Sequence, residues 1–538
     1  MNFIAQVLEK KPEDICKKDI LDYIRNKKIK IFNLCYIGSD SKLKSVSFPA
    51  SNLSYIDSVL SRGERIANVF LNSNIKSEGS YIVPRYRTAF SNPFSNLPTL
   101  NILCSCFNKD GELSPAAPST VLEKANKRFV EKTGLNIKVA GELEYFVLYP
   151  DTYDLFKTTL KHYHSSSPFT ALEDMRNDII DIIGDLGISV KYAHSECGKL
   201  YYGESSVAEQ QEIEFLPAPI CEAGDLLVIS KWVICNVAKR YGVSVTFSPV
   251  IEYGKPGNGL HFHFEILKSE ENIVLDKQGS LTSESKQAIG GMLKFARSLC
   301  AFGNPCAISY LRLRGKKESP YGICWSERSR KVLIRIPMSW YGIGTQMSVI
   351  ANPYGMQRLC RCNGDNSQTG LPSEKKELSD SQIPGQTIEF RSADGMAVVH
   401  LLLAGLIIAV GNGLQDNSVL SLVENLHITE KEMETEKIKP LPQSCQESAK
   451  ELEKDRKYYE KDGIFPPELI DSILLELKSY GTQMSLQSQA KSRKCGIPKK
   501  AGQSYNKNEA LLSNPSENEE EIKKLIKKYI YYSPFSFY

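Results

Sequence analysis

The chain has 538 residues and a formal net charge of +4, with 41% hydrophobic, 24% charged and 9% aromatic residues. This composition is typical of a soluble globular protein, and the net charge is too small for the length to indicate a nucleic-acid-binding or membrane-surface protein. Because the length exceeds one ordinary hydrophobic core, we expect two or three domains.

The N-terminal residues predict a cytoplasmic protein. MNFIAQVLEKKPEDICKKDI contains no apolar run long enough for a secretory signal. The longest apolar run, residues 396–410, is shorter than a bilayer span and contains His400, so it predicts a buried helix. Fourteen scattered cysteines indicate reduced thiols rather than a disulfide framework. We therefore expect no membrane and no nucleic-acid partner.

Two C-x-C pairs occur in different contexts. Cys104 and Cys106 lie in the apolar run TLNILCSCF, which predicts a buried strand. Cys360 and Cys362 lie in LCRCNGDN, which leaves open an ordinary loop or a small zinc site.

Two acidic segments have the alternation of half-buried strands. In GELEYFVLYP, Glu142 and Glu144 share one face of a predicted strand. In EQQEIEFLP, Gln210, Glu212 and Glu214 share one face in the same way. Taken alone, each acidic pair is more simply explained as a solvated strand face.

Two later segments repeat this pattern. GLHFHFEI places His261 and His263 on one strand face opposite an apolar face, and TIEFRS aligns Glu389 with Arg391. If the four faces converge, many carboxylates would lie within a few ångströms, and their repulsion would require cations. Oxygen donors with one imidazole suit Mg²⁺ or Mn²⁺ better than zinc.

A basic stretch lies between the histidine strand and the last acidic strand. Residues 309–337, SYLRLRGKKESPYGICWSERSRKVLIRIP, contain Arg312, Arg330 and Arg335. Guanidinium groups match phosphate and carboxylate geometry, so arginines beside a divalent-metal cluster indicate a nucleoside triphosphate and an anionic co-substrate. The chain contains neither the P-loop motif nor the Rossmann glycine motif.

The ordered motifs GELEYF, QQEIEF, GNGLHFH, NPCAISYLRL, ESP, RSRKVLIRIP and IEFRSADG together resemble the glutamine synthetase family. The resemblance covers residues from about 15 to 482. It implies an α+β fold: a β-grasp N-terminal domain at residues 15–112 and a catalytic domain at 113–482, whose curved antiparallel sheet forms a half-barrel. It also implies a homo-oligomer of stacked rings, with active sites between neighbouring subunits.

The same resemblance implies roles for particular residues. One metal ion would be bound by Glu144, Glu204 and Glu212, and the other by Glu142, His261 and Glu389. Arg312 would bind the substrate carboxylate, Arg330 and Arg335 the ATP phosphates, and Arg391 the γ-carboxylate or transferred phosphate. Glu318 would act as base and flap, Gly257 would lie near the glutamate, and His263 near the phosphates. Glu204 is assigned by its eight-residue spacing to Glu212, and Glu209 replaces the family's glycine before Gln210.

The implied reaction is ATP-dependent ligation of glutamate and ammonia through a γ-glutamyl phosphate. Residues 63–85 contain no aspartate, however, and the family's P-D has become Pro84-Arg85, so the acidic ammonium site is not matched. Two alternatives therefore stay open: a γ-glutamyl ligase for a larger amine, such as a polyamine or ethanolamine, and a catalytically weak scaffold.

Two segments lie outside the motifs. Residues 339–387, between RIP and IEFR, form a long loop-like insertion that could shape amine specificity, contact another subunit or have no role. Residues 483–538 begin as a polar, basic linker and end in ENEEEIKKLIKKYIYYSPF, which predicts a helix.

Overall fold

The computed structural model is an α+β protein built around two β-sheets. It describes residues 3–67, 79–153, 162–202, 205–315, 317–338, 351, 385–429, 438–494 and 519–532. The smaller sheet belongs to the N-terminal part of the chain, and the larger sheet carries the strands that follow. Two large hydrophobic cores are present: one contains most of the buried apolar residues of the smaller sheet, and the other contains those of the larger sheet together with many helix residues.

The N-terminal sheet has six strands in the order β2-β1-β6-β4-β3, with β5 beside β6. Its strands are β1 (Ile31–Ile37), β2 (Leu43–Pro49), β3 (Glu64–Ile66), β4 (Ser80–Pro84), β5 (Phe90–Ser91) and β6 (Thr99–Phe107). Its helices are α1 (Phe3–Val7), α2 (Lys17–Asn26) and α3 (Leu53–Arg62). Cys104 and Cys106 are buried in β6, as the sequence predicts. The β-grasp assignment and the domain boundaries stay predictions.

The second sheet has ten strands and follows the order β14-β15-β16-β12-β7-β9-β8, with β10 and β11 beside β7 and β13 beside β12. The strands are β7 (Asn136–Pro150), β8 (Val190–Tyr202), β9 (Ser206–Phe215), β10 (Ala218–Pro219), β11 (Ser244–Thr246), β12 (Leu260–Lys268), β13 (Glu271–Asn272), β14 (Trp325–Glu327), β15 (Ile334–Ile336) and β16 (Ile388–Phe390). The sheet is curved into a half-barrel. All its pairings are antiparallel except that of β14 with β15.

Helices pack against this sheet and against one another. They are α4 (Pro118–Thr133), α5 (Glu173–Asp185), α6 (Ile220–Arg240), α7 (Ser283–Lys294), α8 (Ala296–Gly303), α9 (Ser309–Gly315), α10 (Val399–Leu414), α11 (Val419–Leu426), α12 (Cys445–Tyr459), α13 (Pro467–Lys494) and α14 (Glu519–Tyr532). Helix α10 is almost entirely buried, which confirms the buried helix predicted from residues 396–410. Helix α14 confirms the helix predicted near the C-terminus.

In the part of the chain that the structure describes, no single helix is long and apolar enough to cross a bilayer. Helices α10 and α11 together meet the length and hydropathy criteria, but they are bent by 108° relative to each other.

Some predictions fall where the structure gives no description. Cys360 and Cys362, most of the 339–387 insertion and most of the segment after residue 494 lie outside the described residues. The loop and zinc alternatives for the C-x-C pair, and the role of the insertion, therefore stay predictions.

Buried polar contacts join the N-terminal sheet to helices α6 and α10. Arg85, directly after β4, donates from Nη2 to Oδ2 of Asp225 on α6 at 2.9 Å, and Nε2 of His400 on α10 is 3.0 Å from Oδ1 of the same carboxylate. Burial would raise the pKa of Asp225, but Arg85 and His400 lower it to about 2. In the turn before β2, Ser41 Oγ accepts a 3.2 Å hydrogen bond from Val399 N at the start of α10.

Arg85→Ala should lower the free energy of unfolding by roughly 3–5 kcal/mol, because Asp225 would keep a buried charge without its main partner. Urea denaturation would measure this change. The control is Lys17→Ala, which removes an ion pair with Asp57 whose side chains are 39% and 46% exposed. This control should change stability by less than about 1 kcal/mol, and equal losses in the two variants would contradict the assigned role of Arg85.

Candidate metal and anion site

Strand register gathers ionisable side chains on one face of the large sheet. Glu142 on β7 is opposite His261 on β12, and Glu144 on β7 is opposite Glu212 on β9. The neighbouring pairs are His263 with Glu389, Arg335 with Glu389 and His194 with Glu212. Because residues two apart on a strand share a face, the predicted acidic and histidine strands meet in one cluster.

Glu142 lies between two imidazoles at the centre of this cluster. Its Oε2 is 2.9 Å from Nδ1 of His261, and its Oε1 is 2.6 Å from Nε2 of His263. The other ring nitrogen of His263 is 2.9 Å from the hydroxyl of Thr387. Donor atoms of Glu142, His263 and Glu389 lie within 4.8 Å of one another, as do those of Glu142, Glu212 and His261.

A further donor group lies where β8 bulges. Between the pairs Ser195–Gln211 and Lys199–Glu209, residues 196–198 are opposite Gln210 alone. This bulge places Glu196 beside His194 and Glu212, and one donor atom from each of the three lies within 4.8 Å of the others. A bulge re-aims side chains locally, so strand periodicity alone does not predict this placement.

Glu196 is a candidate ligand that the sequence reasoning missed. The eight-residue spacing to Glu212 pointed to Glu204, which lies outside the described residues, so that prediction stays untested. The available signal was the motif His194-Ser-Glu196 in an apolar strand context. Its two-residue spacing is the same pattern that indicated the other strands.

The surroundings shift the pKa values of the carboxylates in this cluster in opposite directions. Burial would raise the pKa of Glu142, but the charge of His263 and the hydrogen bonds of both histidines hold it well below its usual value. Burial and the charge of Glu196 instead raise the pKa of Glu144 to about 8. Burial and the charges of Glu142 and Glu144 raise the pKa of Glu212 well above its usual value. Glu144, Glu196 and Glu212 therefore form the part of the cluster with excess negative charge.

The donor chemistry fits divalent cations. Burial and the charge of Arg391 lower the pKa of His261 to about 4, which keeps its imidazole neutral as metal binding requires. Nε2 of His261 and Oε2 of Glu196 are buried without a hydrogen-bond partner among the described residues. Carboxylate oxygens with one or two imidazoles suit Mg²⁺ or Mn²⁺.

Arginines border the acidic cluster, as the sequence predicts for an anionic substrate. Arg335 donates from Nη1 to Glu389 Oε2 at 2.9 Å, and Arg391 also donates to Glu389. Arg312 is buried and donates from Nη1 to the carbonyls of Ser392 and Ala393. Its Nε and Nη2 are buried without a hydrogen-bond partner among the described residues, which suits a carboxylate ligand.

Arg330 and Glu318 lie at the exposed edge of the cluster. Arg330 donates from Nη2 to the hydroxyl of Tyr163 at 3.4 Å, and its guanidinium lies 5.7 Å from the centre of that ring. Burial would lower the pKa of Arg330, but the hydrogen bond to Tyr163 and the charges of Glu196 and Glu318 raise it. Glu318 is exposed and has a positive φ of 52°.

Gln210 connects Gly257 to the acidic cluster by hydrogen bonds. Nε2 of Gln210 donates to Oε2 of Glu144 at 2.8 Å and to the carbonyl of Gly257 at 3.3 Å. A Cβ at Gly257 would be 1.9 Å from the carbonyl oxygen of Pro249, so this position requires glycine. The backbone of the loop before β12 is therefore fixed next to the cluster.

Comparisons with known proteins identify the catalytic part of the chain. The family model "Glutamine synthetase, catalytic domain" matches residues 115–348 and 378–490 and leaves the residues between these stretches unmatched. Glutamine synthetase from Pyrococcus horikoshii is 27% identical over 352 residues, which cover 65% of this chain and 68% of that protein. Glutamine synthetase from Nostoc is 25% identical over 510 residues, which cover 87% and 96%.

Other relatives match over shorter stretches. Further glutamine synthetases from Pyrococcus and Thermococcus are matched over 54–55% of their length. The cryo-EM structure of Plasmodium falciparum glutamine synthetase has a TM-score of 0.66 and 20% identity, covering 88% of this chain and 97% of that one. At this identity the structural likeness concerns the fold.

Gly259→Ala should weaken Mn²⁺ binding at least about tenfold. A Cβ at Gly259 would lie 2.6 Å from Nε2 of His261, 2.7 Å from Nη2 of Arg312 and 3.1 Å from Oε1 of Glu144. Isothermal titration calorimetry would measure the affinity. The control is Gly184→Ala on α5, where a Cβ has nothing within 4 Å; it should bind Mn²⁺ like the wild type. Unchanged affinity in the Gly259 variant would contradict this cluster as the metal site.

Proposed function

Because the chain belongs to the glutamine synthetase family, we propose that it is an ATP-dependent ligase that forms glutamine from glutamate and ammonia. The supporting observation is the buried cluster of carboxylates and imidazoles, bordered by arginines, on one face of the large sheet. Such a cluster is stable only with cations or with partners of opposite charge. Nε and Nη2 of Arg312, which have no hydrogen-bond partner among the residues that the structure describes, suit the carboxylate of an amino-acid substrate.

The metal ligands follow from the donor groups. Glu142, His261 and Glu389 would hold one Mg²⁺ or Mn²⁺ ion. Glu144 and Glu212 would hold the second ion together with Glu196, or with Glu204 as the sequence spacing suggested. When bound, these ions supply positive charge that neutralises the phosphates and the acyl phosphate.

The remaining site residues bind and orient the substrates. Arg312 binds the substrate carboxylate, and Gly257 shapes the adjacent loop. Arg330 and Arg335 bind the ATP phosphates together with His263, whose ring lies beside Glu142. Arg391, which is 3% exposed and donates to Glu389, would contact the γ-carboxylate or the transferred phosphoryl group.

The reaction then proceeds in two balanced steps. A side-chain carboxylate oxygen of glutamate attacks the γ-phosphorus of ATP, and the bond to ADP breaks to give γ-glutamyl phosphate. The nitrogen of ammonia attacks the acyl carbon, and phosphate leaves after the tetrahedral intermediate collapses. Glu318 accepts the proton that the amine loses and closes the site as a flap.

A ligase for a larger amine is the second candidate. Residues 63–85 contain no aspartate to bind ammonium. In the described part of that region, Arg85 forms an ion pair with Asp225. As a cation, Arg85 does not replace the missing aspartate. A polyamine or ethanolamine is larger than ammonia, so its carbon chain could make apolar contacts that ammonia cannot make.

The proposed enzyme acts in the cytoplasm as a homo-oligomer of stacked rings with active sites between neighbouring subunits. Sedimentation velocity should therefore give a particle several times the 60.3 kDa mass of one chain. A monomer that is fully active would contradict the shared-site arrangement.

Phosphate release from ATP would identify the amine. With glutamate and Mg²⁺ or Mn²⁺, we expect release to depend on ammonia; dependence only on larger amines would support the second candidate. Glu142→Ala should reduce turnover at least about a hundredfold, because it removes the carboxylate that contacts both histidines and that would bind a metal ion. The control is Glu453→Ala, whose side chain is 48% exposed. If no amine supports turnover, a catalytically weak scaffold would be the remaining candidate function.

A further inference from the structure

A second polar network lies behind the metal face of the large sheet. Glu209 precedes Gln210 on β9, so its side chain points to the opposite face from Gln210 and Glu212. The Glu209 side chain is fully buried and accepts several hydrogen bonds. The donors are the hydroxyl of Tyr149 at 2.8 Å, Nε2 of Gln211 at 2.9 Å and the hydroxyl of Thr170, and Nε2 of His162 is 3.1 Å away.

This network holds one loop at both ends. Residues 162–170 connect to Glu209 through His162 at one end and Thr170 at the other. Between these ends, the backbone N–H of His164 donates to the carbonyl of Ser195 on β8 at 2.9 Å. The hydroxyl of Ser195 donates to the carbonyl of Ser165 at 3.1 Å. The loop is therefore fixed to β9 and β8, which also carry candidate metal ligands.

The loop presents two aromatic rings to the site. The rings of Tyr163 and His164 are stacked 3.9 Å apart, and the ring of His164 is 4.3 Å from that of His194. Nε2 of His194 is 3.3 Å from Oε2 of Glu212. The hydroxyl of Tyr163 accepts the hydrogen bond from Arg330 described above. Through these contacts the loop constrains a phosphate-binding arginine and an imidazole of the acidic cluster.

Alternative roles for Glu209 fit the contacts less well. Its carboxylate is on the face opposite the cluster, so it does not reach the cations or substrates directly. A buried carboxylate is costly unless several partners satisfy it, and Thr170 and His162 among its partners belong to the loop. An apolar residue at this position would leave Thr170 and Tyr149 without an acceptor and His162 without its neighbouring carboxylate.

We propose that Glu209 is a positioning residue that clamps the 162–170 loop, so that Tyr163 orients Arg330 toward the nucleotide phosphates. The proposal rests on the proposed function for the role of Arg330. The clamp itself does not depend on it, because the loop contacts join only residues of the protein.

Limited proteolysis tests the clamp without reference to activity. Chymotrypsin cleaves after aromatic residues, and the loop carries Tyr163 at 41% and Phe169 at 57% exposure. Glu209→Gln and Thr170→Val should speed cleavage in this loop about tenfold, because each weakens a hydrogen bond of a buried charged acceptor. Tyr149→Phe removes a comparable hydrogen bond from β7, which is not part of the loop, and should stay within about twofold of the wild type. Equal acceleration in all three variants, or none in the first two, would overturn the clamp.

Nucleotide affinity tests the role of the loop in the site. Calorimetric titration with Mg²⁺–ATP should give about tenfold weaker binding for Glu209→Gln and Thr170→Val, and wild-type binding for Tyr149→Phe. A merely structural role would lower the melting temperature of all three variants but would leave the affinity of their folded fraction unchanged. Faster loop cleavage with unchanged nucleotide affinity would overturn the positioning role. If the wild type turns over no ATP with any amine, the proposed function fails, whereas the cleavage and binding results still decide the role of Glu209.

Discussion

Repulsion between buried carboxylates is the constraint on which the site depends. The register of β7, β9, β12 and β16 places Glu142, Glu144, Glu212 and Glu389 on one face with little solvent. The protein neutralises part of this charge with its own cations: Glu389 is held by Arg335 and Arg391. Burial and neighbouring carboxylates raise the pKa values of Glu144 and Glu212 despite the nearby arginines, and a divalent cation would stabilise the charged form of this part of the cluster.

The same strand alternation that places the carboxylates on one face of the sheet places core side chains on the opposite face. Leu143 and Tyr145 on β7 point to the opposite face from Glu142 and Glu144 and are buried in the main core. On β9 that opposite face carries Glu209 in place of an apolar residue. The core behind the site therefore contains a second charge, which accepts hydrogen bonds from β7, from the 162–170 loop and from Gln211 on β9 itself. A sheet that carries charge on both faces needs such local compensation to stay folded.

The sequence predicted the parts of the site that lie on regular strands. Glu142, Glu212, His261 and Glu389 alternate with apolar residues, so their shared face follows from the two-residue period. Glu196 was missed because it lies on a bulge of β8, where the pairing register shifts and the two-residue period does not predict the direction of a side chain. The ion pair of Arg85 with Asp225 joins residues 140 positions apart, and no local pattern predicts such a contact. The fold class was predictable because several motifs in fixed order resemble one family, whereas their mutual geometry required the tertiary structure.

The position of Arg85 also bears on how the amine is handled under the proposed function. An amine must lose a proton before its nitrogen can attack the acyl phosphate, so a carboxylate has to lie near its path. Arg85 cannot serve, because it is a cation and its guanidinium is bound to Asp225. Among the described residues, Glu318 and Glu196 both act electrostatically on Arg330 at the edge of the cluster. Under the proposed function, the exposed Glu318 would accept the proton, whereas Glu196 is buried against His194 and Glu212 and would bind the cation. Proton acceptance and metal binding would then belong to two carboxylates with different solvent access.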